Sequence, residues 1–259
     1  MKPIRDIQVT QVRIFQEDSI PYEVLSVANK LKDLKENYHF SFEEVPFPLN
    51  ETDKPKIIVL KSGEAKLEKR NTIFNSLQFE GRKIVIEVFG TSSEANELFK
   101  QLSLFISNLA NRDLLSDDKC LVKTEETKCT VCLNIDFWSI FHDKTKEFIS
   151  TNIVSALDRP VLSVNPKRLS FEVVFKQDLS LENHNIRLSP KPFTIEPRTN
   201  LPWEERVFYT HSPFSSDVHL QILKTFEKTF QYSGAHEAIT FRPKPPVHKI
   251  VPRRKPQKP

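Results

Sequence analysis

Apolar and polar positions change period several times along the chain, and each change marks out an element. Ile7-Gln-Val9-Thr-Gln-Val12-Arg-Ile14-Phe15 alternates with one change of phase, which predicts a strand carrying a bulge. From Pro21 the spacing widens to three and four, with Val24, Leu25, Ala28, Leu31 and Leu34 on one face, as in a helix opened by proline. A polar stretch bearing Pro46, Pro48 and Pro55 follows. Strands are then expected at 56–60, 72–79 and 82–89, the last being Arg82-Lys-Ile84-Val85-Ile86-Glu87-Val88-Phe89. Gly90 ends that strand. Thr91-Ser92-Ser93-Glu94 offers N-cap chemistry: a hydroxyl accepts from a free N–H, and the carboxylate favours the positive end of the helix dipole. The helix behind it carries Leu98, Phe99, Leu102, Phe105, Ile106 and Leu109 on one stripe.

The order then starts again. A strand is predicted at 128–137, a helix at 142–157 (Phe148, Ile149, Ile153, Ala156, Leu157), strands at 169–175, 185–188, 193–195 and 206–210, and a last helix at 215–232. A shift of 123 positions lays Val9 on Cys132, Val12 on Ile135, Ile84 on Val207, and Ser92-Ser93-Glu94 on Ser215-Ser216-Asp217; one more lays Leu98 on Ile222 and Leu102 on Phe226. The expected fold is therefore α+β: two tandem β-α-β(n)-β-α repeats, 1–118 and 119–234, and a Pro-rich basic tail over 235–259. Each amphipathic helix has to bury its stripe, so a mostly antiparallel sheet should carry the helices on one face and leave the other for a partner.

Two resemblances follow from these residues. Asp217-Val-His219-Leu-Gln-Ile222-Leu-Lys-Thr-Phe226-Glu227 resembles the closing H-x-x-I-x-x-x-F-E helix of a sporadically distributed prokaryotic family, which also opens with a strand ending like Arg13-Ile14-Phe15. That resemblance implies a mobile-element or anti-phage defence setting. The repeat layout, and the junction Gly81-Arg-Lys-Ile84-Val85 to Gly90-Thr-Ser92-Ser93-Glu94, is similar to the TATA-binding-protein fold. The repeats here are longer, and the paired intercalating Phe residues of that fold have no match by position.

Composition narrows the chemistry. Only four Gly occur, and no GxGxxG or GxxxxGK[ST] can be read, which disfavours the Gly-rich phosphate loops. No cofactor is expected. Three cysteines in 259 residues suit a reducing cytoplasm; the N-terminus has no signal-peptide h-region, and no apolar run approaches the roughly 20 residues that cross a bilayer. The net charge of +4 hides an asymmetry. Arg242, Lys244, Lys249, Arg253, Arg254, Lys255 and Lys258 give the tail seven cations and no acid, which leaves residues 1–241 at −3.

Cys129-Thr-Val-Cys132 has metal-knuckle spacing, with Cys120 and His142 as further ligands, but Thr-Val inside an alternating strand points the two sulfurs apart; buried strand cysteines are expected and no metal site. Asp53 with Glu64-Ala-Lys66 mimics a metal-dependent nuclease core, yet the segment reads as a solvated, charge-alternating ribbon. Asp217 and His219 diverge on a helix, with Asp217 read as an N-terminal cap and His219 packing on the preceding strand. No catalytic residue is assigned. The tail is an extended chain suited to nucleic-acid phosphates or an acidic protein groove. The expected role is a non-enzymatic interaction subunit binding another protein. A nucleic-acid-binding protein is the first alternative and a metal-dependent nuclease the second.

Overall fold

A computed structural model describes residues 2–25, 27–44, 57–68, 70–113, 115–153, 166–176 and 179–231. The chain divides into two compact units: Met1–Ile135 with Lys167–Gln231, and Asp136–Pro166 with Tyr232–Pro259.

The first unit is built on nine strands: β1 (Lys2–Phe15), β2 (Phe42–Glu44), β3 (Ile57–Lys66), β4 (Asn71–Glu80), β5 (Lys83–Phe89), β6 (Cys120–Cys132), β7 (Leu169–Val173), β8 (Lys191–Pro197) and β9 (Val207–Ser212). They form one antiparallel sheet in the order β2-β3-β4-β5-β1-β6-β9-β8-β7. Residues 1–118 and 119–234 thus both supply strands to a single sheet. Alternation along each strand sets its faces. Val88, Val9, Thr127 and Ser212 lie level across four strands, and all four are fully buried.

Four helices cover that buried face: α1 (Tyr22–Leu25), α2 (Ala28–Asn37), α3 (Ser92–Ala110) and α6 (Ser216–Thr229). The predicted first helix is broken at Val27, whose backbone is extended, so Ala28 turns out to solvent while Leu25, Leu31 and Leu34 stay buried. Tyr38, just after α2, packs edge-on against Phe74 and Phe105. Thr91 caps α3 in a full capping box with Glu94, and Leu98, Phe99, Leu102 and Ile106 form its buried stripe. Each such side chain contributes roughly 1.5–3 kcal/mol on leaving water.

Three expectations need correction. The sheet is not backed on one face alone: α5 (Leu179–Asn183) packs on the opposite face. The strand expected at 185–188 is absent, because Ile186 and Leu188 spend their alternation on contact with that face and make no ladder. β6 begins at Cys120, well before position 128.

Outward from the central pair, the sheet runs β1-β5-β4-β3 one way and β6-β9-β8-β7 the other. Val9 pairs with Thr127, 118 positions on, and not with Cys132. Ser92 and Ser216, 124 positions apart, exchange hydrogen bonds. The connection between the last two strands is longer on the β9 side. Nine residues (198–206) separate Pro197 from Val207, while three (80–82) separate Phe79 from Lys83.

In the second unit the described residues form a 3-10 turn at Phe137–Ile140, α4 (Asp143–Phe148) and a π turn at Ile149–Ile153. Trp138 and Phe137 both pack against Phe141. The helix expected over 142–157 has Phe148 on its apolar face; α4 instead ends at Phe148, which stands 58% exposed, and passes into the π turn, while Ala156 and Leu157 lie outside the described residues.

Candidate functional site

On the face of the sheet opposite α1, α2, α3 and α6, beyond the part that α5 covers, strand geometry sets side chains in register. On β4 and β5 it shows Ile73 and Phe89, direct cross-strand partners that are 54% and 43% exposed. Phe89 also faces Gln8 on β1, and Gln8 faces Lys128 on β6, which faces His211 on β9. The row thus runs from an apolar pair into a polar centre.

Charges on this face occur in matched sets. Glu87 accepts from Gln8 Nε2 at 2.6 Å and from Asn75 Nδ2 at 2.5 Å. Glu126 accepts from His211 Nε2 at 3.0 Å and lies 2.6 Å from Lys191 Nζ. Lys83 pairs with Glu80 at 2.6 Å. The His211 hydrogen bond, with Lys191 beside it, outweighs the cost of burial and holds the Glu126 carboxyl down at about 2. A carboxylate held that low stays ionised at neutral pH, and its two donors fix its geometry. Farther along, the Arg198 guanidinium lies 5.6 Å from the Tyr209 ring centroid and reaches Thr130 Oγ1 at 3.5 Å.

The residues singled out in the sequence do not converge. Cys129 is buried on the helix side, its Sγ 3.1 Å from Thr210 Oγ1, and burial pushes its thiol up. Cys132 points the other way, donating to the Glu205 carbonyl at 3.4 Å. Cys120 donates to Val122 O at 3.3 Å. His142, in the second unit, accepts from Lys144 N–H at 3.2 Å and caps α4. Glu64 and Lys66 are exposed alternate residues of β3, with Glu64 accepting from Asn71 at 2.8 Å. Asp53 and the tail cations Arg242, Lys244, Lys249, Arg253, Arg254, Lys255 and Lys258 lie outside the described residues.

His219 packs on β9, as its place in the sequence suggests. It is fully buried, with Nε2 2.9 Å from Thr210 Oγ1. Thr210 gives its own hydrogen to the Cys129 carbonyl at 3.2 Å, so His219 Nε2–H is the donor to Thr210. Ser215, not Asp217, is the N-cap residue of α6; Asp217 is in its first turn.

Sequence reasoning misses Glu126, His211 and Lys191. The alternation of Glu126 and Lys128 on β6 marks them as sharing a face, but nothing local pairs them with residues about 65 to 85 positions away. No family model matches the chain, and no curated protein matches it either. Among the described residues no helix is long and apolar enough to cross a membrane.

Proposed function

We propose that this chain is a non-enzymatic interaction subunit that docks a partner protein on the sheet face opposite α1, α2, α3 and α6, beyond the part that α5 covers. The observation that carries this reading is the exposed Ile73–Phe89 pair, set on rigid paired strands and bordered by charges that are already matched. Apolar contact area ringed by polar groups is what protein interfaces use. Acids and bases are mixed here: Glu64, Glu80, Glu87 and Glu126 stand among Lys61, Lys66, Lys83, Lys128 and Lys191. A phosphate-binding face would show a surplus of cations. The matching strand order on the two sides, β1-β5-β4-β3 and β6-β9-β8-β7, supports descent of the sheet from a duplicated unit of the TATA-binding-protein kind. The closing-helix resemblance favours a mobile-element or defence setting.

The test is affinity capture from the native host with the tagged full chain and with Ile73→Asp/Phe89→Asp. Both side chains are exposed, so the fold should hold. A partner retained by the wild type and lost by the double variant supports the reading; a chain that always elutes alone overturns it.

A second reading, nucleic-acid binding, rests on the seven cations of residues 242–259. It requires that binding of DNA or RNA in a gel-shift series starting near ~50 mM salt be present in the full chain and lost in a 1–241 truncation.

A further inference from the structure

The connection from β7 to β8 spans residues 174–190, whereas its counterpart from β3 to β4 spans 67–70. The β3–β4 turn shows that an antiparallel pair of this sheet can close with only four connecting residues. The long connection carries α5, and it crosses onto the face opposite α1, α2, α3 and α6. There Leu181 and Ile186 are buried with Val122, and Ile14, Leu121 and Leu188 pack around them. Ile14 and Val122 are direct partners on the two central strands. At the end of α5 the Arg82 guanidinium donates to the His184 carbonyl. The segment is a seated occupant of the face, anchored by two aliphatic side chains five positions apart and one carbonyl.

Beside the segment a cleft of about 210 Å³ opens to solvent, with Val12, Ile14, Val85, Phe175 and Leu188 on its apolar side and Lys83, Glu125, Glu126, Arg187 and Lys191 on its polar side.

We propose that the Ile14–Leu121–Val122 patch is a docking groove for a short aliphatic helical segment, held in this chain by its own α5 and ceded to a partner segment of the same chemistry. This rests on the partner-binding reading and adds where and what the partner presents. The occupant is argued from the segment already seated there and from the length of its connection beside the short β3–β4 turn.

The experiment uses the full chain with residues 174–190 replaced by a short Asn-Gly turn, and a fluorescent synthetic peptide of residues 174–190 as probe. Anisotropy should report saturable binding to the replaced chain and at least tenfold weaker binding to the intact chain. Val122→Asp in the replaced chain should abolish it. If the replaced chain does not fold, the intact chain with Leu181→Ser/Ile186→Ser loosens the segment while keeping the connection, and it should bind the peptide more tightly than wild type. No binding by folded variants, or binding that survives Val122→Asp, overturns the groove. If the peptide fails while Ile73→Asp/Phe89→Asp still loses the captured partner, the groove falls and the partner-binding reading stands. If the peptide binds as expected while the tagged chain captures no partner from the native host, the groove stands and the partner-binding reading falls.

Discussion

Ser92 and Ser216 cap each other's helices. The Ser216 hydroxyl accepts from the Ser92 backbone N–H at 3.0 Å, and the Ser92 hydroxyl accepts from the Ser216 N–H at 2.8 Å, across 124 residues of sequence. Both are first residues of their helices, α3 and α6, and both are buried. The free N–H groups at a helix start need an acceptor, and here each helix supplies the other's.

The exchange predicts a specific cost. Ser92→Ala leaves the Ser216 N–H buried without its acceptor, and Ser216→Ala does the same to Ser92. Each change should lower stability by about 1–3 kcal/mol in urea unfolding, well beyond an exposed Ser→Ala control such as Ser93→Ala. A loss under about 0.3 kcal/mol would mean that the reciprocal bonds contribute nothing net.

How much of this is legible in the sequence depends on distance. The phase of β5, the capping chemistry of Thr91 and Glu94, and the stripe of α3 are local, and all three stand where the alternation and spacing put them. The alignment of Ser92-Ser93-Glu94 with Ser215-Ser216-Asp217 comes within one residue of the true pair, since both helices start on a hydroxyl residue. At β1 it fails by several residues. Val9 pairs with Thr127, 118 positions on, while Ser92 bonds Ser216, 124 positions on, and no single shift describes both contacts. An odd error also inverts the faces of a strand, which is why a constant shift matches Cys132 to Val9 although it lies on the opposite side of the sheet. The placement of α5 is invisible for another reason: Ile186 and Leu188 alternate like a strand, and alternation says which residues share a face without saying what covers it.

Gly63 gives a sharper test of packing. A Cβ there would stand 2.5 Å from Phe40 Cε1 and 2.9 Å from the Tyr38 carbonyl oxygen, and Phe40 is itself held against Tyr38 and Phe74. The ring has no room to retreat, and the carbonyl belongs to the backbone. Gly63→Ala should cost about 1–3 kcal/mol, measured as a lowered urea midpoint with unchanged slope. The control is Gly81→Asn. Gly81 sits in the left-handed region with open space around its Cα, and Asn tolerates that conformation, so the change should cost under about 1 kcal/mol.

Arg13 is an unusual core residue whose loss should be felt despite its charge. Only 5% exposed, it lies 3.8 Å over the Phe99 ring and donates to Asp117 at 2.7 Å, Gln11 at 2.9 Å and Asn96 at 3.2 Å. Lysine keeps the charge but has no planar fork to serve three acceptors and a ring face together. Arg13→Lys should therefore be nearly as harmful as Arg13→Met, each costing about 2–4 kcal/mol in chemical unfolding. Lysine rescue to within about 0.5 kcal/mol of wild type would show that charge alone matters.

His219 makes the first unit sensitive to mild acid. It is fully buried, it donates through Nε2, and its Nδ1 has no hydrogen-bond partner among the described residues, so a second proton would enter a site with no acceptor. Burial accordingly lowers its pKa from 6.5 to about 4. A depressed histidine stabilises the fold only while it is neutral. As pH falls below 6.5 the unfolded chain takes up a proton that the folded chain refuses until about 4, so stability declines through that window and levels off beneath it. The two values bound the loss at about 3 kcal/mol. Urea unfolding at pH 7.0, 5.5 and 4.5 should show the decline in wild type, with a smaller slope in His219→Leu once its own packing change is subtracted at pH 7. An imidazole resonance titrating near 6.5 in the folded protein, or identical slopes in the two proteins, would show that the ring reaches solvent and that its contact with Thr210 is not the closed arrangement described.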